Sequence, residues 1–319
     1  MKRTADSDDD GNKRSKIELN LRLNDENFSE NDYQLAFKDL GYKLMNFYEL
    51  VVNDEICFRL CEIEFYFYQA NRHPDTFTHR HPNQMQPYQW YFHRQSLSIA
   101  SNYRSGTYKG LDITLSSMKD ESYGGILIRS IQNKQTGKIH EGSCIVVDTI
   151  LKLSSNQTIK QLVEEKLNNN LDIFHRNSSI YLRSISSDSP CEIVSSPRVG
   201  LTLKVPTIDR ERFLFRSYRF TWNDYYPSKM KMTILLCQAA QFYFQNSDNA
   251  FVSYADQLST KMKTRFALVK TYLHDLQVGF DCDTTKKSSP LFDFYKKSMS
   301  TSDLAKAYGI WLKNYRTKL

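Results

Sequence analysis

At 59–68 the residues Arg-Leu-Cys-Glu-Ile-Glu-Phe-Tyr-Phe-Tyr switch between apolar and polar nearly one by one. Side chains of a strand leave opposite faces with period two. A strand here therefore puts Cys61, Ile63, Phe65 and Phe67 on one face and Glu62, Glu64, Tyr66 and Tyr68 on the other. Upstream, Leu35, Phe37, Leu40, Leu44 and Phe47 recur at helical spacing and predict a helix over 32–48, with Gly41 as its weak point. Residues 49–52 begin a strand. Runs at 110–115 and 124–131, bounded by glycines, read as strands, as do 178–184 and 200–205. Thr158 is placed to cap an amphipathic helix reaching 167. The stretch 69–107 is long, aromatic and irregular, as functional loops are.

From about residue 226 the period changes. Residues 229–245 and 254–278 carry broad apolar stripes. A last helix, capped by Thr301-Ser302-Asp303, gathers Leu304, Tyr308, Trp311, Leu312 and Tyr315 on one side. That stripe packs on something, while Lys306, Lys313, Arg316 and Lys318 read as solvated. No internal repeat is visible.

Composition narrows the picture. The 319 residues include only 11 Gly and 8 Pro, which excludes collagen-like and wholly disordered chains. No apolar run approaches the roughly 18 residues of a membrane span, and no apolar signal core opens the chain. A soluble protein that is not secreted by the usual route is expected. The six cysteines are scattered without a CxxC pair, which predicts reduced thiols and no zinc finger. A net charge of +7 permits a polyanionic partner without demanding one.

Residues 1–30 are polar and nearly free of aromatics, and are expected to be disordered. Lys2-Arg3 and Lys13-Arg14-Ser15-Lys16 flank a nine-residue polar spacer. Two such clusters suit an acidic receptor groove and resemble a bipartite nuclear localisation signal, implying an import receptor and a nuclear location. A solvated tail is the alternative.

Candidate chemistry centres on the polar face of the 59–68 strand. A carboxylate set among aromatic rings is poorly solvated, which suits a general acid or base. An edge strand with its polar face in water would carry the same alternation. His79-Arg80-His81, with His93 and Glu64, has the ligand types for zinc, although a loop hydrogen-bonding a ligand uses the same residues.

Taken in order, the motifs say more. Glu62-Ile63-Glu64-Phe65-Tyr66 is followed by the His-rich loop and by Gly106-Thr107-Tyr108-Lys109-Gly110. Then come Ile126-Leu127-Ile128-Arg129, Glu141-Gly142-Ser143-Cys144 before a hydrophobic helix, Ser196-Pro197-Arg198-Val199-Gly200, and Arg216-Ser217-Tyr218-Arg219-Phe220. This order resembles the alkyladenine (methylpurine) DNA glycosylase family over roughly residues 57–221. The resemblance implies an α+β fold with a curved antiparallel sheet at 31–225. Residues 226–319 lie beyond it, and their helical period reads as an extension that packs on that domain or docks a protein partner. It implies Glu64 as the carboxylate that activates water against the sugar, with Arg129 beside it. Tyr66, His79 and Tyr91 would bind the flipped base, with His73 as the alternative to His79. Tyr108, Lys109 and Arg198 would meet the DNA, and Tyr91 and Tyr108 are candidates for the stacking and wedge residues. No metal or organic cofactor is implied. With no lysine on the catalytic strand, hydrolysis by water is expected rather than a Schiff base. The 69–107 loop departs from the family, and Asp112 stands nearest to its asparagine. These departures leave the substrate base open. They also admit a catalytically inactive nucleic-acid binder with the same fold, and a metal-dependent hydrolase on His79, His81 and His93 is a third reading.

Overall fold

A computed structural model describes residues 18–228, 231–245, 250–285 and 287–315. Helix α1 (Glu30–Phe47) precedes strands β1 (Tyr48–Val52) and β2 (Ile56–Gln69). Strands β3 (Trp90–Phe92), β4 (Leu111–Thr114), β5 (Tyr123–Asn133) and β6 (Ile139–Glu141) follow, then helix α2 (Ser143–Leu153). Strands β7 (Ile180–Ser184) and β8 (Ile193–Ser196), helix α3 (Ile208–Leu214) and strand β9 (Arg219–Trp222) complete the α+β body. Helices α4 (Lys231–Gln245), α5 (Ala250–Lys261), α6 (Phe266–Asp281) and α7 (Thr301–Tyr315) form the C-terminal extension. No described helix is long and apolar enough to cross a membrane.

The sheet is antiparallel throughout and runs β7-β1-β2-β5-β4-β3. Strand β9 lies beside β2 on the same side as β1 but further along, and carries β8 outside it. Ile63, Phe65, Phe67, Ile113, Ile126, Ile128 and Phe220 share one face and are all fully buried. Helix α1 covers that face with Tyr33, Phe37 and Leu40. At Gly41 a Cβ would come within 3.3 Å of the Phe220 ring. The glycine that weakens the helix by propensity is the residue that lets it lie close on the sheet. Ser29 caps the helix through a reciprocal pair of bonds with Asp32.

Several expectations change. Residues 18–30 belong to the fold: Leu19, Leu21 and Leu23 are buried, and Arg22–Leu23 pairs in parallel with Ser116–Ser117. Their alternation is a strand signal set inside a polar tail. Residues 200–205 form no strand, and Leu203 packs instead into the core of the helical extension. The expected helix over 254–278 is two helices, broken after Lys261. The 69–107 stretch is folded around β3, which pairs with β4. Thr158 caps as expected, accepting from the Gln161 N–H, but the helix passes into a π-turn at Leu162–Lys166.

Helices α6 and α7 cross backbone to backbone. A Cβ at Gly279 would overlap the Lys306 carbonyl, and one at Gly309 would overlap the Leu276 carbonyl. Overpacking of rigid backbone costs about 1–3 kcal/mol. Gly279→Ala and Gly309→Ala are each expected to lower stability by about 2 kcal/mol in urea unfolding. Wild-type midpoints for both variants would contradict the close crossing.

Candidate active site

Cross-strand neighbours point to the same face, so the sheet register assembles the polar side. Tyr91 on β3 stands opposite Asp112 on β4, Asp112 opposite Leu127 on β5, Leu127 opposite Glu64 on β2, and Glu64 opposite Arg219 on β9. The β2–β5 register shifts around Glu62, so that Arg129 and Ser130 both reach its carboxylate. Such irregularities re-aim side chains and recur next to active sites.

Glu62 is 2% exposed and saturated with donors. Its Oε1 accepts from Arg129 Nε at 2.9 Å and Arg219 Nε at 2.8 Å, and its Oε2 from the Ser130 hydroxyl at 2.8 Å. Burial opposes its charge, but Arg219 and Arg129, with Ser130, outweigh burial and hold the carboxyl below the usual range. The Tyr225 hydroxyl donates to Ser130 at 3.1 Å and extends the network.

Glu64 is fully buried. Its Oε1 accepts from the Val199 N–H at 2.7 Å and lies 3.5 Å from Arg129 Nε, while its Oε2 accepts from the Tyr66 hydroxyl at 2.9 Å. Burial, then the Glu64 charge, push the Tyr66 phenol well above its ordinary value, so it stays protonated and donating. Arg129 is held in its charged form: burial works against it, and Glu64 and Glu62 prevail. One guanidinium is thus shared between two carboxylates, with one edge toward solvent.

Arg198, expected at the DNA backbone, is enclosed instead. It is 3% exposed and pairs with the equally buried Asp75 at 2.5 Å. It also donates to the carbonyls of Phe65 and Phe213, and lies 4.6 Å from the centre of the Tyr66 ring. Its place is beneath the site, where it holds the strand that carries Glu64 through the Phe65 carbonyl and, as the residue before Val199, anchors that backbone donor. The sequence motif drew attention to this arginine; its neighbour's backbone N–H was the missed functional group.

A second polar group lies further along the same face. His93 Nε2 contacts the Asp112 carboxylate at 2.8 Å, and Gln84 donates to the other oxygen at 3.3 Å. Asp112 is therefore occupied by donors rather than set bare against an acceptor. His79 Nδ1 meets the Tyr91 hydroxyl at 2.7 Å, and burial, then His93 and Arg104, lower its pKa to about 4. Tyr91 itself is 1% exposed and supports His79 from below, so no ligand reaches its ring in this conformation. His81 contacts the Ser98 carbonyl. No three His, Cys, Asp or Glu side chains converge as metal ligands among the described residues. The two histidines and His93 each serve a different partner. Tyr108 is 74% exposed on the turn Gly106–Tyr108, and Lys109 pairs with Asp148 of α2.

His73, the alternative to His79, is fully buried between the Phe67 carbonyl at 2.7 Å and the Tyr218 hydroxyl at 2.9 Å. Burial lowers its pKa from 6.5 to about 4. The unfolded chain then takes up the proton first, so stability present above the unfolded value is lost as pH falls from about 6.5 to about 4. The linkage amounts to about 2 kcal/mol by pH 5 and about 3 kcal/mol by pH 4. Urea unfolding at pH 7 and pH 5 checks this: His73→Gln should flatten the loss, and an equal slope in the variant would rule it out.

The molecule is thus an α+β protein with paired carboxylates and shared arginines on the polar face of an antiparallel sheet. No family model matches the chain. It is 36% identical over 195 residues to the uncharacterized protein L759 of Acanthamoeba polyphaga mimivirus, a match covering 57% of this chain and 85% of that protein. The chain belongs to the same family as that mimivirus protein.

Proposed function

We propose that this protein is a monofunctional DNA glycosylase that hydrolyses the N-glycosidic bond of a flipped, damaged or modified purine. The observation that carries the reading is Glu64: a carboxylate aimed by two donors, beside a shared arginine and an aromatic ring. Loss of the base develops positive charge on the sugar. Glu64 stabilises that charge and takes the proton of the attacking water. Arg129 anchors the carboxylate and adds a cation near the departing base and the strand. Tyr66 carries Arg198 against its ring, and a flipped purine would stack on the opposite face. His79 lies further along the same face as a neutral hydrogen-bonding group. Tyr108 and Lys109 supply an aromatic and a cation for the duplex. The two basic clusters before residue 17 would direct the protein to the nucleus through an import receptor; they lie outside the described residues. The C-terminal helices pack on the α+β body through Phe215, Tyr308 and Trp311, and a protein partner would use their outer faces.

The complete enclosure of Glu64 favours a second reading, a non-catalytic protein that holds a base or modified nucleotide in the same cleft. Base release from duplex oligonucleotides carrying hypoxanthine, ethenoadenine, a 3-methyladenine analogue or N6-methyladenine separates the two. Release that disappears in Glu64→Gln supports the glycosylase. No release from any substrate, with tight salt-sensitive binding by both proteins, supports the reader. Neither release nor binding sinks both.

A further inference from the structure

Beyond β3 the chain folds back as a hairpin from His93 to Arg104. The Arg94–Tyr103 bridge closes it, helped by the Gln95 N–H to Asn102 carbonyl bond and the Arg104 N–H to His93 carbonyl bond. Between this hairpin and the turn at 157–164 lies a cleft of about 540 Å³. Four cations line it, Arg94, Arg104, Lys109 and Lys160, with one carboxylate, Glu164; Lys109 is already paired with Asp148 of α2, so the excess charge is that of the two arginines.

The two arginines are unusual in their partners. Arg94 donates to the Ser101 carbonyl at 2.6 Å and the Tyr103 hydroxyl at 2.9 Å, stacks at 3.7 Å over the Tyr103 ring, and keeps a buried Nε without a partner. Arg104 donates to the Arg94 carbonyl at 2.9 Å and reaches His79 Nε2 at 3.3 Å. Among the described residues no carboxylate pairs with either. Half-buried guanidinium groups without a counter-ion are costly unless an anion completes them. Neutral partners fix both side chains, so their order does not depend on that anion.

We infer that this cleft is a phosphate subsite, and that its occupant is a phosphodiester of the nucleic-acid strand whose base is presented to Glu64. The inference rests on the glycosylase reading for the identity of the strand. Arg104 joins the cleft to the polar face through His79 and Tyr91, and three strand spacings separate Tyr91 from Glu64. At about 4.8 Å each that places Tyr91 about 14 Å from Glu64, with the cleft further out on the same side, a span that a few nucleotides of one strand bridge. The guanidinium forks suit phosphate oxygens, and the exposed Tyr108 stands on the turn that leads into Lys109 at the cleft. A free nucleotide would use the same groups, so the test must separate the two sources.

The experiment is fluorescence anisotropy with a labelled duplex from 50 to 300 mM KCl, for wild type, Arg104→Gln and Lys160→Gln. Lys160 is exposed and has only a loose i,i+4 contact with Glu164, so its replacement leaves the fold intact. Each lost phosphate contact should reduce the slope of log affinity against log salt by about one, with affinity falling severalfold or more at low salt. That result supports the subsite. Unchanged slopes in both variants overturn it, and if wild type still releases base, the glycosylase reading survives. Competition by inorganic phosphate or a deoxynucleoside monophosphate at micromolar concentration, with unchanged duplex slopes, would replace the strand by a free phosphate ligand. A wild type without salt-sensitive duplex binding would remove the strand as occupant together with the reading it rests on.

Discussion

If the proposed glycosylase function holds, Glu64→Gln is expected to lower base release by about 10²–10⁴-fold, the range that a positioned general base contributes, while leaving the fold in place. The argument for both halves is local. Glutamine keeps one oxygen, which can accept from the Val199 N–H as Glu64 Oε1 does. Its amide nitrogen then faces the Tyr66 hydroxyl, which can turn and accept instead of donating. The buried site therefore keeps its hydrogen bonds and loses the negative charge. Arg129 retains its bond to Glu62, so no cation is stranded. Single-turnover release from a saturating duplex measures the chemistry, and urea unfolding with duplex anisotropy measures what is retained. Equal release rates in the two proteins would remove Glu64 as the base.

Arg198→Met is expected to be among the most destabilising single substitutions in the chain, by about 3–5 kcal/mol. Both members of the Arg198–Asp75 pair are fully enclosed, and removing one leaves the other charge buried without compensation. Two carbonyl acceptors, of Phe65 and Phe213, lose their donor as well. The pair itself is weak evidence for stability, because its desolvation offsets most of its attraction. Arg198→Met with Asp75→Leu should therefore lose less than the sum of the two single variants. A double-mutant cycle by urea unfolding reads this directly, and strict additivity would exclude the pairing. Where the single variant still folds, Glu64 has lost the brace beneath its strand and beside Val199, so base release should fall with stability rather than independently of it.

Much of the site is legible in the sequence. The alternation at 59–68 identified both faces of β2, and Ile63, Phe65 and Phe67 are buried as that pattern requires. It placed Glu62, Glu64 and Tyr66 side by side. It could not say that Glu62 holds the arginines while Glu64 is held by a tyrosine and a backbone N–H. Arg198 was noticed through its motif and expected at a phosphate, but an arginine in a loop has the same local signature whether it faces DNA or an aspartate 123 residues away. Strands β8 and β9 and helix α3 escaped notice because they are short and their apolar positions carry little periodicity. The buried leucines at 19–23 were overlooked because charged and polar neighbours dominate that stretch.

By itself the sequence determined what repeats within a few residues. The helix that ends in β1, the two-faced central strand and the change to helical period near residue 226 all follow from side-chain direction, which is set by local backbone geometry. The tertiary structure alone decided which charges meet. Glu62 finds Arg219 across 157 residues and Glu64 finds the Val199 N–H across 135. That the guanidinium groups of the hairpin cleft meet neutral partners and, among the described residues, no carboxylate is likewise decided in space. Such pairings depend on sheet register and chain crossings, and no local spacing encodes those.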